Sequence, residues 1–369
     1  MSLFSDDVAA VDDARQKGRR VGWLLLALTL FGVFGLTLLP SPYVIERPGP
    51  VFDTLGSVTV DGDEVSLIQI PDQETFETSG SLSLLTVNVF GNREATPSWF
   101  EVGRAWIDPT QSIVPLDSVF PPGLSTEDRR EQSRLDMENS QQEAVAAALR
   151  NLGEEFESEV VVAEAIADGP AAGVLQPDDL ILAVNGTAVF DVTALRSAIA
   201  DNGTESAATL TIERDGVEQS VEIVPVLSEG AEAVPVVGVF VSGRYEFPFE
   251  VEIQLENVGG PSAGMMFALG ITDKLTPGQL TGGEDIAGTG TIAASGEVGP
   301  IGGIVQKMYG AVDAGADWFL APVDNCGEVV GNIPAGLEVF AVATLDDALE
   351  VLDVVANDGD LSTLARCER

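Results

Sequence analysis

Two residues of this sequence have the types and settings needed to break an acyl bond. Ser262 follows a Gly-Gly-Pro turn and leads an apolar run, Val258-Gly-Gly-Pro-Ser-Ala-Gly-Met-Met-Phe-Ala-Leu-Gly270. Lys307 stands in a helical pattern after the Gly-rich stretch Gly296 to Gly303. A hydroxyl becomes a useful nucleophile only beside a base, and a lysine kept out of water can be that base in its neutral form. The alternatives are scarce. The sequence contains no histidine and two cysteines. That excludes a Ser-His-Asp triad, a Cys-His pair, His-ligated zinc, all-cysteine zinc and four-thiolate iron–sulfur clusters. Neither a metal nor another cofactor is expected. The lysines are Lys17, Lys274 and Lys307.

The elements around these residues must place them. A Gly-Gly-Pro turn before a helix puts the serine hydroxyl near free backbone N–H groups, where an oxyanion could be held. The same pattern also fits an ordinary Ser N-cap ahead of a buried helix. Ile304, Val305, Met308, Ala311 and Val312 surround Lys307 with apolar side chains, which would lower its proton affinity. Lys274, the rival base, falls at the C-terminal end of the serine helix, where a cation suits the helix dipole. Ser295 lies in a turn and is expected to be structural.

The chain divides into parts. Residues 1–20 are a basic N-terminus and 21–39 an uncharged apolar run long enough to cross a bilayer as one helix. Arg15, Lys17, Arg19 and Arg20 before it predict a cytoplasmic N-terminus and an extracytoplasmic remainder. A cleaved signal peptide is the alternative. Residues 40–156 read as an extended β-rich segment, with strands near 58–60, 65–70 and 82–89, then a helix from Ser125 to about Leu152. Glu46-Arg-Pro-Gly-Pro50 reads as turn punctuation. Residues 157–227 form a compact unit of strands, one helix over 192–200, and Asn-Gly and Asp-Gly turns. Residues 235–355 alternate strands with helices at 262–269, 305–314 and 345–352, and 356–369 form a tail. The fold class is α+β.

The stretch Asp168-Gly-Pro-Ala-Ala-Gly-Val-Leu-Gln-Pro-Asp-Asp-Leu-Ile-Leu-Ala-Val-Asn-Gly186 resembles a PDZ domain of the bacterial protease-associated type, with Asp178 where that family usually has Gly. Such a fold adds an extended peptide to a sheet edge; packing against a neighbouring domain is the plainer role. Gly260-Pro-Ser-Ala-Gly264, Thr289-Gly290, Gly296-x-Val298, Pro300-Ile-Gly-Gly303, Lys307, Ala314-Gly315 and Pro322-x-x-Asn325 together resemble the Lon-type serine peptidase domain. The resemblance implies a Ser262–Lys307 dyad, Thr289 holding the lysine amine, and Gly260, Ala263 and Gly264 as supporting positions. Many members carry an acid where this chain has Gly259. The order of parts resembles the bacterial membrane-anchored PDZ–Lon peptidases. It implies ATP-independent proteolysis outside the cytoplasm, a PDZ domain that recruits or gates protein substrates, and a homo-oligomeric ring. A non-catalytic PDZ adaptor and a protease limited to autoprocessing are the competing functions.

The formal charge of −41 would repel a phosphate backbone, so no nucleic-acid partner is expected. No P-loop motif occurs in the sequence. The partners expected are peptide substrates and, through residues 21–39, the bilayer. In an oxidising compartment Cys326 and Cys367 could pair and clip the tail to the domain, or remain two thiols.

Overall fold

A computed structural model describes residues 22–32, 34–60, 62–120, 126–167, 169–228, 233–255 and 258–368. Residues 22–32 and 34–38 are helical, and their apolar side chains are largely exposed. Among the described residues no helix is long and apolar enough to cross a membrane. The expected span also covers Val21 and Val33, which lie outside the described residues, as do its basic flank, Pro121-Pro-Gly123, Ser125 and Asp168.

The chain forms two compact units, residues 1–47 with 88–126 and residues 48–87 with 127–369. Two long strands, β1 (Tyr43–Asp53) and β2 (Ser81–Phe90), contribute to both. In the smaller unit Ser98 caps α1 (Trp99–Ala105) through a reciprocal capping box with Glu101. The start of β1 pairs antiparallel with β3 (Ser112–Pro115), from Tyr43 opposite Pro115 to Glu46 opposite Ser112. The sequence around Pro48 and Pro50, expected to turn, is strand instead. Pairing with β3 stops at Glu46, so the missing proline N–H groups beyond it cost no ladder bond on that side.

The larger unit begins with residues 48–87 and then α2 (Thr126–Asn151). Ala144, Val145, Ala147, Ala148 and Leu149 of α2 are buried among C-terminal residues such as Met265 and Phe267. The PDZ-like sheet follows. Its strands are β4 (Glu157–Ala165), β5 (Leu180–Val184), then helix α3 (Val192–Asn202), β6 (Ala208–Arg214) and β7 (Val217–Ile223). The sheet does not end near 227. Strand β8 (Val239–Glu246), expected to open the next unit, pairs antiparallel with β4 and forms an edge. Alternation marks a strand but not its partner, and here the partner lies some 80 residues back in the chain. Asp178 has φ +69, a left-handed position that favours Gly and that Asp tolerates better than most residues. Next to it, buried Asp179 receives both Nε and Nη2 of Arg214 at 2.7 and 2.6 Å, which holds its carboxyl below the ordinary value.

The remaining elements are α4 (Gly264–Leu275), β9 (Asp285–Gly288), α5 (Ile304–Asp313), β10 (Trp318–Pro322), β11 (Glu338–Val342) and α6 (Leu345–Ala356). Strands β2, β9, β10 and β11 run parallel in that order. Side-chain alternation sorts the two faces. Leu84, Ile286, Leu320, Phe340 and Val342 face α4, α6 and the end of α2. Leu85, Ala287, Phe319, Ala321 and Val339 face α5. Parallel strands covered by helices on both faces bury both sides, which explains their continuous apolar runs. The β-rich segment after the apolar run is therefore not independent: β2 and α2 complete the core that carries Ser262 and Lys307. Cys326 and Cys367 form a disulfide that ties the tail down.

Candidate active site

Ser262 sits in the loop between Gly259 and α4. It is not an N-cap: the cap is Ala263, which makes no side-chain capping bond. The loop is held from α2 at two points. Gly260 N–H donates to Ser133 O at 2.9 Å, and Ser140 Oγ donates to Pro261 O at 2.9 Å. Gly260 has φ +86, which an L side chain would resist. A Cβ on Gly259 would lie 2.2 Å from Ser133 Oγ, so a larger residue at this position would have to displace the Ser133 side chain. Gly264 is equally confined, with Ser140 Oγ at 2.8 Å and Ile292 Cγ2 at 2.9 Å from an added Cβ.

A second strip locks the Ser262 loop. Gly290 N–H donates to Ser262 O at 3.0 Å, and Met265 N–H donates to Gly290 O at 3.1 Å. Thr289 Oγ1 donates to the same Ser262 carbonyl at 2.9 Å. Among the described residues, the Ser262 and Ala263 N–H groups have no acceptor. They are free donors at the N-terminal end of α4.

Lys307 comes from the other face of the sheet, on the first turn of α5. Asn325 pins the loop before that helix, accepting from Ile301 N–H at 2.9 Å and donating to Ile301 O at 2.8 Å. The Lys307 side chain is only 2% exposed. Its Nζ stands 2.7 Å from Ser262 Oγ and donates to Thr289 Oγ1 at 2.8 Å. Burial pushes the ammonium down to about 7. No carboxylate contributes to that shift; desolvation alone accounts for it.

The structure thus brings Ser262, Lys307 and Thr289 together, with Ala263, Gly260 and Gly264 around them. Lys274 lies elsewhere, near the far end of α4 and about 15 Å along the helix from Gly264. Its Nζ reaches Ser66 Oγ at 3.5 Å, and burial lowers its proton affinity. Ser295 is an exposed turn residue. Sequence reasoning missed Glu143, on α2. This half-buried carboxylate accepts from Tyr245 Oη and from Ala294 N–H, each at 2.6 Å, and burial raises its proton affinity. Ser133 and Ser140 were missed as well. Their seven-residue spacing on one helix face was the available signal.

Residues 126–224 match the PDZ domain family, and residues 257–355 match the C-terminal proteolytic domain of the Lon (S16) protease. Over 94 residues the chain is 38% identical to the Lon protease of Azospirillum brasilense, covering 25% of this chain and 11% of that one. It is 32% identical over 168 residues to Lon protease 2 of Herpetosiphon aurantiacus, covering 44% and 20%. A PDZ domain of an SdrC-like protein from Listeria monocytogenes overlays 22% of this chain and 85% of its own, at 21% identity and a TM-score of 0.21. The chain spans between a tenth and a fifth of the length of these two Lon relatives, which match only its protease part. The chain therefore carries a PDZ domain followed by a Lon-type proteolytic domain, the domain of a serine peptidase.

Proposed function

We propose that the protein is a serine endopeptidase in which Ser262 is the nucleophile and Lys307 the base. The observation that carries this reading is the 2.7 Å approach of Lys307 Nζ to Ser262 Oγ inside a pocket that strips the amine of water. Thr289 sets the direction of proton flow. Its own proton is committed to Ser262 O, so toward Lys307 it can only accept. The neutral amine donates to Thr289 and leaves its lone pair for the Ser262 hydroxyl proton. Ser262 Oγ then attacks a peptide carbonyl, and the proton moves to Lys307. The free N–H groups of Ser262 and Ala263 receive the oxyanion. The ammonium returns its proton to the departing amine, leaving an acyl-enzyme on Ser262. Water, deprotonated by the same amine, releases the second product.

Cleavage without ATP belongs to the same proposal, and adding ATP to the digest should leave the rate unchanged. The test is digestion of an unfolded protein by wild type, Ser262→Ala and Lys307→Ala. Loss of cleavage in both variants is expected; full cleavage by either one refutes the dyad. Binding without cleavage by wild type would favour an adaptor.

The same reading places the catalytic body outside the cytoplasm on a single N-terminal anchor. It is supported by the basic flank, by apolar side chains such as Phe31 that stand 74% exposed on the helix, and by the Cys326–Cys367 disulfide. Protease added to intact spheroplasts should degrade the catalytic domain. Protection until lysis would reverse the assignment.

A further inference from the structure

One cleft of about 600 Å³ is walled by both domains. Val241 and Ser242 of β8 and Arg196 of α3 line it on the PDZ side. Pro261, next to the nucleophile, and Ile292 line it on the protease side. Its size is that of a site enclosing a ligand: too small for a folded domain, ample for a few residues of extended chain.

Two features give the cleft a peptide character. Strand β8 is the terminal strand of its sheet, so among the described residues its outer backbone edge has no strand partner. Such an edge is a template for an added strand. The two walls are also fixed to one another. Glu143 takes Tyr245 Oη from β8 and Ala294 N–H from the loop after Thr291–Ile292. Arg150 of α2 pairs with buried Asp191, the N-cap of α3, at 3.1 Å. The PDZ domain is therefore clamped beside the protease loop through α2 at two places.

We propose that this cleft holds one extended substrate segment, which pairs with the free edge of β8 at one end and crosses Ser262 at the other. PDZ contacts and scissile bond then belong to the same short stretch of polypeptide. Charge gives the cleft a direction: the one cation among its lining residues, exposed Arg196, stands on the PDZ side, and the carboxylates Asp136, Glu143, Glu297 and Asp324 stand on α2 and the protease side. An acidic substrate residue is favoured beside Arg196. This inference rests on the peptidase reading.

The test uses the full chain and nested peptides built outward from one cleavage site in an unfolded protein. A small organophosphonate probe that phosphonylates Ser262 Oγ directly, with loss of its leaving group, serves as control. Wild type should cleave ten-residue peptides at least ten times more efficiently than four-residue ones. Ser242→Trp, which fills the cleft, should erase that advantage while leaving probe labelling unchanged. Should Ser242→Trp fail to fold, Arg196→Glu replaces it. Arg196→Glu should lower kcat/KM several-fold for a peptide with Glu at the PDZ end and raise it for the Lys version. Equal cleavage of long and short peptides overturns the inference. So does an intact length advantage in a Ser242→Trp protein that labels normally, or an unchanged Glu/Lys preference in Arg196→Glu. Cleavage of no peptide by a chain that takes the probe overturns it also. No probe adduct on Ser262 overturns the peptidase reading, and this inference with it.

Discussion

Thr289 Oγ1 accepts from Lys307 Nζ at 2.8 Å while donating its own proton to the carbonyl of Ser262 at 2.9 Å. One hydroxyl thus orients the Lys307 amine and fixes the backbone of Ser262. Thr289→Val keeps the shape and removes both bonds. It should lower kcat/KM by about 10- to 150-fold, the equivalent of roughly 1.5–3 kcal/mol for bonds to a group that becomes charged. Thr289→Ser should retain most of the activity. Steady-state kinetics on one peptide checks both; equal losses would show that the hydroxyl is idle.

Burying Lys307 has a thermodynamic cost with a definite sign. The native amine titrates near 7 and the unfolded one near 10.5. Between these values the unfolded chain binds more protons, so native stability rises with pH through that window and is lowest below it. Lys307→Met should therefore stabilise the protein by up to a few kcal/mol at pH 6, and the gain should shrink toward pH 10. Denaturant melts at the two pH values measure the difference. A destabilised variant at pH 6 would mean that the ammonium is compensated in the fold.

Gly259 is confined by α2. The side chain of Ser133 fills the space. Gly259→Ala should displace the nucleophile loop and cost about 1–3 kcal/mol together with most of the activity. Ser133→Gly in the same chain should restore part of both. Failure of the double variant to recover either quantity would place the constraint elsewhere.

Glu143→Ala leaves Tyr245 Oη and Ala294 N–H without their acceptor. Each orphaned group costs about 1–3 kcal/mol where water cannot replace the partner. A lower melting temperature is expected, with KM for long peptides rising more than for short ones. An unchanged melting curve would contradict the clamp.

The Cys326–Cys367 bond closes a 41-residue loop. Chain entropy puts its worth at up to about 4 kcal/mol. A Cys326→Ser, Cys367→Ser protein should melt earlier and keep its dyad. Thermal scans with and without reductant give the size of the effect.

The serine, the lysine and their apolar setting were legible because desolvation and helix patterning are local properties of sequence. So were the PDZ-like strands over 157–223. Three features were not legible. Strand β1 runs through Glu46-Arg-Pro-Gly-Pro50, since proline is a breaker only where its missing N–H is needed. Strand β8 returns to pair with β4, the first strand of the same sheet, and local alternation carries no information about partners. The roles of Ser133, Ser140 and Glu143 depend on α2 packing beside the nucleophile loop, a contact more than a hundred residues distant for Ser140 and Glu143.

The account stands or falls on a neutral Lys307 activating Ser262, and the rate at which a serine-directed phosphonate phosphonylates the full chain reads that step directly. Intact mass should show a single adduct, mapped to Ser262. Its rate should climb about tenfold per pH unit below 7, level off above, and vanish in Lys307→Met. An adduct that forms at the wild-type rate in Lys307→Met, or no adduct at Ser262 at any pH, would contradict it.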